Sequence, residues 1–408
     1  MTIKTSNLKE LYVYIFVAFV VMKVWRAFSG SDERGGIWNY IQVFFVVFGF
    51  FALIKFINLV RKEAAVMVLV IYSVIALFIS LLTFKVLSVY IFFDLIKVTF
   101  TGMTAVVFYT YGFRTDSIDK HKIILKVMFY VSSAILCIRI GIHMLSGGYR
   151  ASGAGAVADV YFILGALPYI LSITKKKFQL IPIFVTALSI LISQKRAGFI
   201  ALVGVVIIFY FVSSIKTNSL KNTIGKIIIF SLIIVCGYYL IVFLDAKLNL
   251  EIFIRLKMLE TDGGSGRYNR WIELLLALKR SRLLHLVFGH GYNAVKDLIG
   301  THAHNDFLEV FYNFGFVSLL LYLSYYVVQI FNAIKMAKEG YEHLAEFLAS
   351  IFISLCIALF SYYVIDATYS ICGCFTQFIL LADWRKTHAS QFEAAPETEL
   401  MITDEEDS

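Results

Sequence analysis

An all-α polytopic membrane protein of about twelve transmembrane helices is the fold class the sequence predicts, and three observations predict it. Apolar residues make up 60% of the 408 residues and charged residues only 16%, and the mean hydropathy of +0.79 is that of a bilayer-embedded chain. The apolar residues gather in runs close to the roughly 20 residues needed to cross a membrane. Lysines and arginines collect in alternate short connections, the pattern of a multi-pass chain.

The runs fall at about 8–25, 38–59, 64–83, 88–111, 123–143, 157–173, 178–194, 197–214, 225–244, 307–331, 347–365 and 367–384. The last is short and carries polar residues, and the run after Ile181 and Pro182 is thin. Pro168 is expected to kink the helix that contains it.

Positive charge sets the orientation. Lys4 and Lys9, Arg61 and Lys62, Arg114, Lys120 and Lys122, Lys175 to Lys177, Lys216 and Lys221, Lys335 and Lys338, and Arg385 and Lys386 fall on one side. Arg26, Arg34, Lys85, Arg150, Lys195 and Arg196 fall on the other. The larger set places both termini in the cytoplasm and the long 245–306 connection on the outer face. The same sorting accounts for the net charge of +9 without a nucleic-acid partner.

The first apolar run lacks a small-x-small cleavage site and reads as an internal anchor. All five cysteines (Cys137, Cys236, Cys356, Cys372, Cys374) lie in predicted helices, where they read as apolar filler rather than a disulfide framework. Residues 1–386 form one membrane domain containing the 245–306 loop, and 387–408 read as a disordered acidic cytoplasmic tail.

The long loop carries structure of its own. Gly263 to Arg267 (GlyGlySerGlyArg) is a turn whose backbone N–H groups can approach an anion. It leads into 268–287, where Trp271, Leu274, Leu275 and Leu278 recur at helical spacing among Arg270, Glu273, Arg280 and Arg282. That pattern predicts one amphipathic helix lying at the membrane surface. Phe288 to Tyr292 (PheGlyHisGlyTyr) ends it, with Gly289 just past its last turn.

The most informative pair is His304-Asn305, where the loop enters the next apolar run. A polar group at a bilayer boundary must be solvated, paired or used. Asn305 or Asp306 is the expected helix cap, and the free N–H groups behind it favour an anion beside His304. The helix dipole is expected to keep the imidazole neutral, as a general base requires. Arg196, Arg267 and Arg270 lie on the same outer face. Guanidiniums suit diphosphate because they stay charged and bind oxygens in a bidentate fork.

Taken singly, His304 could serve only as a cap, Arg196 could snorkel to the interface, and Arg267 and Arg270 could pair within the loop. His302 and His290 read as solvated loop residues. The four together supply a base and a diphosphate site. No Asp-x-Asp pair occurs in the outer loops, so metal independence is expected, with no cofactor.

Ser265, Gly266, Arg267 and Trp271, then PheGlyHisGlyTyr, then HisAsn followed after nine residues by Gly315, together resemble the O-antigen ligase and polymerase superfamily. The resemblance is specific over about 263–325 and softer over SerGlnLysArgAlaGly (Ser193 to Gly198). It implies a GT-C type glycosyltransferase of the bacterial inner membrane, working at the periplasmic face on an undecaprenyl-diphosphate-linked glycan donor. By the resemblance, His304 is the catalytic base and Arg196 and Arg267 bind diphosphate, with Arg270 assisting. Asn305, Trp271 and Gly315 support the site.

Phe316, Val317 and Ser318 follow Gly315 where the family often continues Gly-x-x-Gly. The acceptor is a lipid-linked repeat unit for a polymerase and the lipid A core for a ligase. The lack of a large basic platform on the outer face favours the polymerase, with a chain-length regulator as a possible partner. A lipid-linked glycan flippase is the non-enzymatic alternative, but its polar site would sit at mid-membrane within a repeat, and no repeat is visible.

Overall fold

The computed structural model describes residues 5–26, 37–83, 89–115, 118–145, 158–193, 195–215, 225, 239, 242–243, 267–364 and 370–393. Among these, all regular secondary structure is helical. The helices are α1 (Thr5–Arg26), α2 (Ile37–Lys55), α3 (Ile57–Val60), α4 (Ala64–Thr83) and α5 (Val89–Arg114). Next come α6 (Lys122–Leu145), α7 (Val160–Ser172), α8 (Leu180–Ser193) and α9 (Arg196–Ile215). After a gap in the described residues follow α10 (Arg267–Arg280), α11 (Leu283–Phe288), α12 (Ala294–Ile299), α13 (Asp306–Lys338), α14 (Leu344–Phe360) and α15 (Ile371–Glu393).

Among the described residues, four segments are long and apolar enough to cross a membrane: Ala64–Thr83, Asp119–Ile142, Lys176–Ser193 and Asp306–Lys338. Shorter apolar helices lie at Tyr12–Trp25, Tyr40–Lys55, Val160–Ser172, Ala197–Val212 and Leu344–Phe360. The predicted run at 225–244 lies almost wholly outside the described residues. Helix α15 continues past Lys386 to Glu393, so the start of the expected tail is helical, and 394–408 lie outside the described residues.

At the centre, α5 packs against α2, α4 and α15, while α7 packs against α6, α8, α14 and α15. Helix α7 is buried almost throughout, and so is α15 from Ile371 to Ala382. The close contact of α7 with α15 needs Gly165, where a Cβ would lie 2.8 Å from the Gly373 nitrogen; Thr376 Oγ1 donates to the Gly165 carbonyl at 2.8 Å. Hydroxyls inside the bundle mostly return to their own helix. Ser80, Thr104, Thr110, Ser133 and Thr186 each donate to a carbonyl one turn back, which satisfies them where water is absent.

Two ion pairs, each with a buried carboxylate, tie distant helices together. Arg139 in α6 donates to Asp159, the residue before α7, at 2.7 Å, and to the Val24 carbonyl at the end of α1. Glu63, with no exposure, accepts from Arg385 of α15 at 2.8 Å and from Asn332 of α13 at 3.2 Å. Removing the arginine from such a pair leaves an uncompensated buried carboxylate, at a cost of about 3–5 kcal/mol. The Glu63 pair anchors the far end of α13, away from His304.

The amphipathic segment expected as one helix over 268–287 is two. Helix α10 ends at Arg280, Ser281 caps its last turn by donating to Ala277 O at 2.9 Å, and α11 starts at Leu283. Its predicted stripe divides as well. Leu274 and Leu278 are buried with Val295, Ala303 and Tyr312 in a small core separate from the main one, with Trp271 packed against it. Leu275 is instead exposed. This satellite core fixes α10 beneath the segment that carries His304.

Candidate active site at the start of helix α13

Gly315 organises the site from within α13. Its φ of 78° and ψ of −179° lie in a region open essentially to glycine, and they break the helix nine residues after its first residue. The break takes the carbonyls of Tyr312 and Asn313 out of the helical ladder. His290 N donates to Tyr312 O at 3.0 Å and Gly291 N to Asn313 O at 2.7 Å, so the PheGlyHisGlyTyr segment satisfies them. The crossing is tight on both sides: a Cβ on Gly315 would collide with the Val287 carbonyl, and one on Gly289 with that of Asn313. Asn313 Oδ1 also accepts from Val295 N at 2.9 Å, pinning α12.

Asn305 is the N-cap of α13, its Oδ1 accepting from Leu308 N at 3.1 Å. Of the two capping candidates, Asp306 has a different role. Its buried Oδ2 accepts from the backbone N–H groups of Tyr363 and Val364, each at 2.7 Å, and from the Tyr322 hydroxyl at 3.2 Å. The chain leaving α14 is thereby fastened to the start of α13.

His304 precedes the cap with φ of 57°, a left-handed conformation rare for a residue with a side chain. Glu309 holds it there. Its buried carboxylate accepts from Ala303 N at 2.6 Å and His304 N at 3.2 Å through Oε1, and contacts His302 Nδ1 at 2.9 Å through Oε2. His302, expected to be a solvated loop residue, is thus tied to a buried carboxylate. Trp271 Nε1 donates to Ala303 O at 2.8 Å, joining α10 to the same three-residue segment.

The site is strongly positive. Burial pushes the His304 imidazole down to about 3, and the charges of Arg267, Lys195, Arg270 and then His302 act in the same direction. The imidazole is therefore neutral, as the sequence led us to expect. The leading cause is burial among cations, where a helix dipole had been expected. Burial and the charge of Arg267 likewise bring Lys195 down to about 8, with Asp159 partly opposing them. Lys195 Nζ sits 5.7 Å from the centre of the Tyr161 ring.

The structure brings His304, Arg267 and Arg270 into one electrostatic neighbourhood, with Trp271 and Asn305 holding the backbone around them. Arg196 is the first residue of α9, directly after Lys195; its side chain lies outside the described residues. Gly315 acts at a distance, through the helix break.

Sequence reasoning missed three participants. Lys195 was read only as a topological charge, although its adjacency to Arg196 was a usable signal. Glu309 stands five residues after His304, and only the left-handed turn lets it reach back. The third, Tyr362, makes a 3.1 Å contact between its hydroxyl and His304 Nε2, and no motif or periodicity announced it.

His290 was also expected to be solvated. It stacks between His285 (ring centres 4.5 Å apart) and Tyr312 (4.4 Å), with Ser281 Oγ 2.9 Å from its Nε2. Burial and then the charge of His285 hold its pKa below the usual value. Among the described residues, no three His, Cys, Asp or Glu side chains gather in a way that suits a metal ion.

Residues 181–323, about a third of the chain, match the family model described as O-antigen ligase. The matched span holds Lys195, Arg196, Arg267, Arg270, Trp271, His304, Asn305, Glu309 and Gly315. The resemblance read from the motifs is thereby borne out for the O-antigen ligase and polymerase superfamily. No curated protein matches the chain significantly.

Proposed function

We propose, for a chain whose residues 181–323 match the O-antigen ligase family model, that it is a surface-polysaccharide polymerase of the bacterial inner membrane. It joins undecaprenyl-diphosphate-linked oligosaccharide repeat units at the periplasmic face by inverting, metal-independent glycosyl transfer. The observation that carries this reading is the convergence of a half-buried, neutral imidazole with Lys195, Arg267 and Arg270 from separate segments of the chain. A neutral base alone would fit many enzymes. A neutral base ringed by cations fits one whose leaving group is an anion.

In this mechanism the donor diphosphate lies against Arg267 and Arg270, with Lys195 adding positive charge and Arg196, next in the chain, assigned to diphosphate binding as well. His304 takes the proton from the acceptor sugar hydroxyl. The freed oxygen attacks the anomeric carbon from the face opposite the diphosphate. The bond from that carbon to the phosphate oxygen breaks, and its electron pair leaves with undecaprenyl diphosphate. The cations stabilise the charge developing on that oxygen, and the imidazolium returns its proton to water.

The sequence of the outer connections carries no wide basic platform, which supports the polymerase. The description of the matching family favours a second reading, a ligase that moves the glycan onto the lipid A core. Deleting the protein and running the surface glycan on a gel tests both. Lipid A bearing a single repeat unit identifies the polymerase. Bare lipid A core with lipid-linked polymer accumulating identifies the ligase. A His304→Ala variant that restores the wild-type glycan in the deletion strain rejects the site in either case.

A further inference from the structure

Tyr362 is the first residue beyond the cap of α14. Its hydroxyl lies 3.1 Å from His304 Nε2, and the two rings are tilted by 32° with centres 4.7 Å apart. On another side the His302 ring meets it edge-on at 5.1 Å. Both histidines are fastened to the Glu309 carboxylate. Asp306, two residues after His304, accepts from the backbone of Tyr363 and Val364 directly after Tyr362. The pair is therefore built into the start of α13 and does not depend on a flexible loop meeting a chance neighbour.

The other ring nitrogen of His304 decides what the contact does. Nδ1 is buried and has no hydrogen-bond partner within the protein. A neutral imidazole carries one N–H, and a buried orphan N–H is costlier than a bare acceptor nitrogen. The favoured tautomer, inferred from this network, places the proton on Nε2, where the Tyr362 oxygen accepts it.

We propose that Tyr362 is the positioning residue of His304, accepting Nε2–H, fixing ring and tautomer, and so leaving Nδ1 unprotonated. The assignment rests on the reading of His304 as the base. A phenol oxygen in this place does what a carboxylate does behind many catalytic histidines, but without adding a negative charge beside a diphosphate site. When the imidazole gains its proton, Nε2–H still has its acceptor, so no bond is lost at that moment.

The test uses the full-length protein, purified in detergent, with its lipid-diphosphate-linked oligosaccharide as donor. Tyr362→Phe keeps the ring packing and removes only the acceptor oxygen. Its kcat is expected to fall about ten- to a hundredfold, with KM for the donor within about twofold of wild type. The acid limb of the kcat–pH profile should move to lower pH, because the imidazolium loses its acceptor. Unchanged kcat with an unmoved acid limb overturns the proposal, and so does a rise in KM alone.

A second measurement needs no variant at Tyr362. Nitrogen NMR of 15N-histidine-labelled wild type, with His304→Asn to assign the signal, should show His304 neutral with the proton on Nε2; a proton on Nδ1 overturns the proposal. His304→Ala, assayed in parallel, separates the two readings. Wild-type turnover there rejects the base itself, whereas an inactive His304→Ala beside a fully active Tyr362→Phe rejects only the role of the tyrosine.

Discussion

Glu309 holds His304 in a backbone conformation that the residue would not choose, which makes Glu309→Ala a sharp probe of the site. A left-handed φ on a residue with a Cβ costs about 1–2 kcal/mol, and residue 304 sits at 57°. What offsets this is one carboxylate oxygen accepting from Ala303 N at 2.6 Å and His304 N at 3.2 Å, while the other meets His302 at 2.9 Å. Ala303 has no exposure, so water does not replace its lost acceptor. Orphaned buried donors cost about 1–3 kcal/mol each, so the two together bring the local loss to about 2–6 kcal/mol.

The strained turn then relaxes, and the imidazole moves away from the cations and from Tyr362. A displacement of about 1 Å in a catalytic group costs on the order of a hundredfold in rate. The assay is glycosyl transfer by purified protein, read beside a thermal unfolding curve. Glu309→Gln keeps an acceptor oxygen of roughly half the strength and should fall between wild type and Glu309→Ala. The reasoning is refuted if Glu309→Ala turns over within about twofold of wild type while His304→Ala is inactive.

Gly315→Ala places a Cβ on the Val287 carbonyl at a backbone angle open essentially to glycine, so a loss of about 3 kcal/mol or more is expected, read as a collapse in the yield of folded protein. Arg267→Lys keeps the charge and loses the fork; the donor KM should rise about tenfold or more while thermal stability stays near wild type. Stability should also respond to pH through His304. Its folded pKa of about 3 lies below the ordinary 6.5, so between those values the unfolded chain binds the extra proton and stability falls as pH drops. Thermal midpoints measured from pH 7 down to 4 should fall less steeply for His304→Asn than for wild type.

The helices were legible because bilayer burial writes itself into composition. The runs at 64–83 and 123–143 stand out by apolar length alone, and α4 (Ala64–Thr83) keeps the predicted bounds. What periodicity could not show was where a helix stops being one. The stripe over 268–287 continues in sequence across Ser281 and Arg282, yet the chain turns there. In the same way α13 is one apolar run whose ladder Gly315 interrupts. Both breaks are decided by backbone geometry at one or two residues, which a pattern averaged over several turns does not resolve.

The site divides along similar lines. His304, Asn305, Arg267 and Trp271 were visible because they are polar or aromatic residues of distinct chemistry within a short stretch of chain. Lys195, Glu309 and Tyr362 reach His304 through folding, from 109, 5 and 58 residues away. Tyr362 in particular stands in a SerTyrTyr segment after α14, and only the backbone bonds to Asp306 bring it to the histidine.

The depressed basicity of His304 yields the prediction that tests the proposed chemistry most directly. Protonating an imidazole whose pKa is about 3 costs about 5 kcal/mol more than protonating a free one. As it stands, His304 is neutral but a weak base. Three of the groups that weaken it, Arg267, Lys195 and Arg270, are the ones proposed to hold the donor diphosphate. A bound diphosphate offsets their charge, so the site gains its base when the leaving group arrives. One unit charge at about 7 Å in an effective dielectric of about 20 is worth about 2 kcal/mol, enough to move the titration by about one pH unit or more. The profile of kcat/KM reports the free enzyme and that of kcat the donor complex. The acid limb of kcat should therefore lie at higher pH than that of kcat/KM, and Arg267→Gln should narrow the gap by raising the lower limb. Coincident limbs in the wild type would show that the donor does not bind against these cations, and the diphosphate site would have to be sought elsewhere.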